Sequence, residues 1–191
     1  MITHLNGKLV EKTPTYLVIE CNGIGYFVKI SLNSYSQLSD EEHIKIYTQL
    51  QVREDAHTLY GFHTTTEREM FNQLISVSGI GANTAILMLS ALSPQEIAAG
   101  ITSGDVALIQ SVKGIGAKTA QRVIIDLKDK VAKLSGEGQI ILPISNTNEN
   151  DTLNALISLG FDKNRAEKAV KKVSTDGQSV EEMIKEALKV L

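Results

Sequence analysis

A ten-residue stretch of this sequence is given twice, nearly unchanged. Ser76-Val77-Ser78-Gly79-Ile80-Gly81-Ala82-Asn83-Thr84-Ala85 aligns with Ser111-Val112-Lys113-Gly114-Ile115-Gly116-Ala117-Lys118-Thr119-Ala120, identical at eight of ten positions and offset by 35 residues. Each copy follows one helical pattern and precedes another, so the unit is helix, Gly-Ile-Gly turn, helix, given twice. Glycines allow the sharp turn and let a ligand come close to the backbone. The turn delivers free N–H groups at the start of the second helix, where the helix dipole also favours an anion. The isoleucine between the glycines can anchor the turn in a core. Lys118 and Arg122 stand one helical turn apart on the polar face beside the second amide cluster. Two such sites, related by a local pseudo-twofold, can hold phosphates on both strands of a duplex; such contacts position a protein without reading bases.

The pattern resembles the helix-hairpin-helix motif of DNA-binding proteins. On that resemblance the candidate DNA-backbone residues are Gly79, Gly81, Asn83, Thr84, Gly114, Gly116, Lys118, Thr119 and Arg122. A lone Gly-Ile-Gly turn is a weak signal, whereas a tandem pair with Lys118 and Arg122 in place is far stronger. A duplicated hairpin used only for packing does not explain why the glycines recur with basic residues after the second copy. Gly114 to Thr119 also ends in Lys-Thr, as a P-loop does. The Walker pattern needs Gly where Ala117 stands, its leading Gly is absent as well, and no strand precedes it, so nucleotide binding is rejected.

Glu54 and Asp55 are expected at the tip of a hairpin, between strands ending near Val52 and starting near His57. Taken alone, a charged tip is a solvated one. Adjacent carboxylates also suggest metal-dependent phosphoryl chemistry, yet nothing joins them at a recognisable spacing. His4, His43, His57 and His63 show no ligand spacing, and Cys21 is the only cysteine, which excludes an internal disulfide and a multi-cysteine metal cluster. No catalytic residue, metal or cofactor is assigned.

Three segments and a linker must position these groups, in an α+β chain. Residues 1–63 read as β: Tyr16–Ile19, Tyr26–Ile30, Ile44–Tyr47 and Thr58–Tyr60 are rich in β-branched and aromatic residues, and turn signals at Asn22-Gly23 and Ser39-Asp40 separate them. About five strands in this length predict a small closed, OB-like barrel, with its aromatics expected to fill the barrel core. Residues 64–134 turn helical, with Met70, Phe71, Leu74 and Ile75 at helix spacing, and Ala120, Val123, Ile124, Leu127 and Val131 more strongly so. Ser93-Pro94 starts a short helix. Ala85–Leu89 is apolar all round, which hints at a subunit interface. Residues 135–150, rich in Gly, Ser and Asn, read as a flexible linker with an odd Ile140-Ile141-Leu142 island. Residues 151–191 give a small three-helix (UBA-like) domain: Leu153, Leu156 and Ile157 up to Gly160, then Ala166 to Val173, then a helix opened by a Ser179/Glu182 capping box. A tethered module this small usually exists to hold a partner.

The 191 residues, 42% hydrophobic and 21% charged, exclude disorder over the whole chain. No apolar run approaches the roughly 18 residues of a membrane span, and Met1 to Lys12 lacks the stretch of a secretion signal, so an intracellular protein is expected. Net charge is −3, but within 113–133 six basic residues meet two acidic ones. A basic stripe on an acidic protein selects where a polyanion can touch.

From end to end, the linker excepted, the chain resembles the RuvA family, the Holliday-junction-binding subunits of bacterial branch-migration complexes. The matching residues are Met1-Ile2 with Leu5 and Gly7, then Val52-Arg53-Glu54-Asp55-Ala56 followed by Leu59-Tyr60-Gly61-Phe62. Both Gly-Ile-Gly turns, Lys118-Thr119-Ala120 with Arg122, and Leu156, Leu159-Gly160-Phe161 and Ala166 fit as well. The resemblance implies a homotetramer with central barrels, its hairpins gripping four duplex arms, with two tetramers on one junction left open. It assigns Glu54 and Asp55 to an acidic pin at the junction centre. It makes the C-terminal domain, with Leu156, Leu159, Gly160 and Phe161 as candidate contacts, the recruiter of the hexameric RuvB ATPase. The RuvC resolvase is a further candidate partner. The chain itself should hydrolyse nothing and act in the cytoplasm, in recombination and DNA repair. Asn83 stands where many members carry lysine, and Ala117 where a second lysine often precedes Lys118. Two fewer cations per subunit predict weaker binding with a shallower salt dependence.

Two other classes share parts of this pattern. A helix-hairpin-helix repair enzyme, glycosylase or nuclease, wants a catalytic Lys or Asp just after the second hairpin, where Asp126 and Asp129 lie beside Lys128 and Lys130. A single-strand binder would use exposed barrel aromatics.

Overall fold

The computed structural model describes residues 1–39, 41–134, 147–174 and 178–191. Asp40 of the expected turn and the linker residues 135–146, with Ile140-Ile141-Leu142, lie outside them. The described chain divides into two compact units, Met1–Gly138 and Gln139–Leu191.

Alternation builds the first part of the first unit. Strands β1 (His4–Lys12), β2 (Tyr16–Cys21), β3 (Ile24–Ile30), β4 (His43–Val52) and β5 (His57–Phe62) close a barrel in the order β1-β2-β3-β5-β4. All pairings are antiparallel except β3 with β5, which aligns Lys29 with Tyr60. Asn22 and Gly23, at φ 50° and 83°, supply the positive φ values that a two-residue hairpin needs. Every second residue of β2 and β4 points inward, so Leu17, Ile19, Ile44 and Ile46 are buried together with Leu5, Val28, Ile30 and Leu59. At Gly61 an added Cβ would lie 2.5 Å from Val28 Cγ1 and 2.7 Å from Ile46 Cδ1, so β5 faces the core there with no room for a side chain.

This core corrects one expectation: it is aliphatic. A five-stranded barrel is narrow, and its interior takes aliphatic side chains in place of rings. Of the aromatics, Tyr26 and Tyr35 pack only partly buried against this core, and others go to the outer wall or toward the helices. Tyr16 and Phe27 stack outside with ring centroids 4.6 Å apart, while Tyr60 and Phe62 turn to Phe71 of the helical layer. A further departure is a short helix, α1 (Leu32–Gln37), between β3 and β4, capped by Ser31.

The helical layer comprises α2 (Thr65–Ile75), α3 (Ala82–Ala91), α4 (Pro94–Ser103), α5 (Val106–Gln110) and α6 (Ala117–Leu134). The Ser93/Glu96 capping box, with Pro94 in the first turn, starts α4. One continuous core runs from Tyr60 and Phe62 on β5 through Phe71, Leu74, Met88, Leu89 and Ile101 to Val123 and Leu127. Barrel and hairpins are therefore fused through packed side chains. A polar joint reinforces the fusion. The Glu67 carboxylate of α2, 1% exposed, accepts from the Ser31 hydroxyl and from Ser34 Oγ at 2.6 Å, and Ser34 Oγ also accepts from the His63 amide at 2.8 Å. Leu32 N donates to Ser90 Oγ on α3, and Arg68 of α2 donates to Thr3 O.

In the second unit, α7 (Thr147–Ser158), α8 (Lys163–Val173) and α9 (Val180–Val190) pack around Leu156, Ala166, Val170, Met183 and Ala187. The Ser179/Glu182 capping box opens α9. Helix α7 begins at Thr147, so residues 147–150 are helix where linker was expected. A Thr-Asn-Glu-Asn run reads as loop by composition, yet Glu149 in the first turn favours a helix start through the dipole. Among the described residues no single helix is long and apolar enough to cross a membrane.

Candidate nucleic-acid interface

The two repeats fold alike. In each, a valine ahead of the turn is buried (Val77, 2%; Val112, 4%), and the isoleucine between the glycines is buried to 5% (Ile80, Ile115). Ile80 N donates to Val77 O at 3.0 Å, and Ile115 N to Val112 O at 3.1 Å. Gly79 and Gly114 take φ of 96° and 92°, the left-handed region where a Cβ is strained. Gly81 and Gly116 then accept the first helical bond from Ala85 N and Ala120 N, each at 2.9 Å. Gly81 is the N-cap of α3, and no side chain caps that end. The first-turn amides are thus presented to solvent beside exposed glycines, an arrangement suited to an anion.

The copies touch. A Cβ built on Gly79 would lie 4.0 Å from Thr119 Cγ2. Arg122 Nη1, on α6 of the second hairpin, donates to Ser78 O in the first turn at 3.4 Å. Arg122 therefore fastens one hairpin to the other as well as standing on the exposed face with Lys113 and Lys118. Thr84 and Thr119 are half-buried behind the exposed Asn83 and Lys118. Charge is uneven: between Arg68 and Lys113 the sequence has no Lys or Arg, so the first turn and the helix after it carry no cation, and Arg68 on α2 is engaged with Thr3 O. Asn83, at the position of Lys118, accepts instead from Tyr60 Oη at 3.2 Å. Burial pushes the Tyr60 hydroxyl above its ordinary range, which keeps it a donor.

Glu54 and Asp55 lie at the exposed tip of the β4–β5 hairpin, closed by Arg53 N donating to Ala56 O at 2.9 Å. They share one compact unit with both turns. Asp126, Lys128, Asp129 and Lys130 are exposed along α6.

Comparison with known proteins accounts for each of these parts. The family model for the RuvA N-terminal domain matches residues 1–61, that for the SAM-like helix-hairpin-helix tandem matches 71–129, and that for the RuvA C-terminal domain matches 147–191. A protein of Christiangramia forsetii named Holliday junction branch migration complex subunit RuvA is 56% identical, and each chain is covered in full. Proteins of the same name from Flavobacterium psychrophilum and Cytophaga hutchinsonii are 53% and 47% identical, again over the full length of both chains. The chain belongs to the RuvA family.

Within this RuvA-family chain, sequence reasoning placed the turns and the acidic tip, but it missed what joins them. Ser31, Ser34 and Glu67 meet across 33 and 36 residues of sequence. A pairing of that span leaves no local periodicity to read. Of the four C-terminal candidates, Leu156 is fully buried in the unit core and Phe161 packs against that core. Gly160 ends α7 at φ 96°, with Phe161 N donating to Leu156 O at 3.2 Å. Leu159, 61% exposed, is the one whose side chain is open to a partner.

Proposed function

We propose that this chain is a non-catalytic subunit that binds four-way (Holliday) DNA junctions, holds them open and square, and recruits a RuvB-type ATPase for branch migration. The observation that carries the reading is the conjunction, in one compact unit, of two amide-presenting turns with an acidic hairpin tip. The turns, with Lys118 and Arg122, grip the phosphates of a duplex arm. Glu54 and Asp55 sit where crossing strands meet: within a Debye length of about 8 Å, carboxylates repel phosphates and keep strands apart. Attraction on the arms and repulsion at the centre favour the open form. The relatives' name, a branch migration complex subunit, supports the same substrate.

A four-armed substrate asks for a fourfold assembly. A groove of about 500 Å³ between the barrel and α3, lined by Phe27, Leu32, Ile86 and Leu87, supports self-association, since Phe27, Leu32 and Leu87 are each about half exposed. Exposed apolar surface of this kind marks an interaction site. The C-terminal unit, with Leu159, Ile157 and Leu188 exposed, takes the motor, and RuvC is a further partner of the assembled complex in the cytoplasm. A repair-enzyme reading gains nothing from Asp126 and Asp129, which stand exposed on α6 among lysines.

The test is competition between a labelled four-way junction and linear duplex of equal length, at two salt concentrations. Strong preference for the junction supports the reading. Equal affinity leaves a general duplex binder, and cleavage or base release under Mg²⁺ overturns the non-catalytic assignment.

A further inference from the structure

A polar hollow of about 120 Å³ lies between the acidic tip and the first hairpin. Its wall includes Lys29, Gln51, Arg53, Asp55, Tyr60 and Asn83. Lys29 is brought there by the parallel pairing of β3 with β5, which sets it beside Tyr60, and Arg53 by the end of β4. Among the described residues neither cation has a carboxylate within ion-pair distance, although Asp55 stands on the same rim. The Asn83 carbonyl oxygen is occupied by the Tyr60 hydroxyl, which leaves its NH₂ group to donate. At about 30 Å³ per water, the hollow has room for about four waters, or for a tetrahedral phosphate in their place.

This hollow answers the charge asymmetry of the repeats. The second turn and its following helix bring Lys113, Lys118 and Arg122, whereas the first turn and α3 bring none, Arg68 of α2 being engaged with Thr3 O. Amides alone leave a bound phosphate without a counter-charge, and the barrel presents two cations at the start of that same α3. We propose that Lys29 and Arg53, with the Asn83 amide, form a phosphate-binding subsite for the DNA strand that passes from the first hairpin to the crossover. Asp55 on its rim limits how far that phosphate can move toward the pin. The subsite rests on the junction-binding reading above and extends it to two residues outside the repeats.

The experiment measures the dependence of log K on log[salt] for the full chain and for the double variant Lys29→Gln/Arg53→Gln, on a four-way junction and on linear duplex. For the junction, the slope of the variant becomes shallower by roughly 0.9 for each phosphate that a bound subunit no longer neutralises. Duplex binding, held by the hairpins, keeps its slope, and Arg53→Lys with Lys29 intact keeps the junction slope. Both residues line an open surface, and a thermal melt of the variant confirms the fold. An unchanged junction slope overturns the subsite, as does an equal fall on both substrates, which makes the two cations general duplex binders. Failure of the underlying reading shows separately, as loss of junction preference in the unaltered chain.

Discussion

The paired glycines of each turn separate two effects that a single substitution mixes. Gly114 sits at φ 92°, and a Cβ there would meet nothing within 4 Å, so the cost of Gly114→Ala is backbone strain alone. That strain is about 1–2 kcal/mol, offset by about 0.4–1 kcal/mol from the stiffer unfolded chain, which leaves a net loss of roughly 1 kcal/mol. For a unit spanning Met1–Gly138 this lowers Tm by about 3–4 °C. Gly116 lies outside the left-handed region, and its Cβ would also meet nothing within 4 Å, so Gly116→Ala leaves the fold untouched. Its methyl group nevertheless projects where a phosphate must approach the amides. Losing one charge-assisted hydrogen bond there costs about 1.5–3 kcal/mol, a 10- to 100-fold weaker junction Kd at about 1.4 kcal/mol per tenfold. Fluorescence anisotropy with a labelled junction reads the Kd, and a thermal melt reads the fold. If Gly116→Ala melts and binds as the unaltered chain does, the amides do not hold the phosphate and the grip is misassigned.

Other parts of the molecule give separable expectations. Replacing Glu54 and Asp55 together by alanine keeps junction binding but impairs strand separation in a branch-migration assay; loss of binding contradicts the pin. Ending the chain at residue 146 spares junction binding and abolishes stimulation by the motor, and a truncated chain that still supports migration removes the C-terminal unit from that role. Ala117→Lys adds a cation at the exposed start of α6 and steepens the salt slope by roughly 0.9 per bound subunit; a flat response puts the DNA elsewhere. Glu67→Ala strips the Ser31 and Ser34 hydroxyls of their shared buried acceptor and costs about 2–4 kcal/mol, read as a lower urea midpoint, while an unmoved midpoint dismisses the joint.

The turns were legible in the sequence because their chemistry is local. Glycine at a positive φ and isoleucine between two glycines leave a mark within ten residues, and duplication doubled it. The barrel was legible as strands for the same reason. What its aromatics do was not, because alternation shows that a residue faces one side without showing what lies there. Tyr60 and Phe62 face Phe71 across a layer that only the tertiary fold creates. Asn83 is the sharpest case. As a missing lysine it reads as a loss of affinity, but its bond to Tyr60 ties the first hairpin to the barrel wall and to the hollow beside Arg53.

That tie bears on how a pin can work at all. Repulsion between carboxylates and phosphates in solution decays over about 8 Å, so a tip that wandered by several ångströms relative to the grip would lose its hold on strand geometry. Glu54 and Asp55 are on an exposed hairpin, yet β5, which leaves that hairpin, carries Tyr60 and Phe62 straight into the core of the helix-hairpin-helix layer. The Ser31–Ser34–Glu67 cluster fixes the barrel's other corner to α2. Packed cores resist continuous deformation, so the distance from tip to turns is set by the same side chains that stabilise the unit. On this argument a core substitution at Phe62, far from any phosphate, degrades junction opening before it degrades duplex binding. Each hairpin keeps its own amides, whereas the spacing between grip and pin belongs to the whole unit.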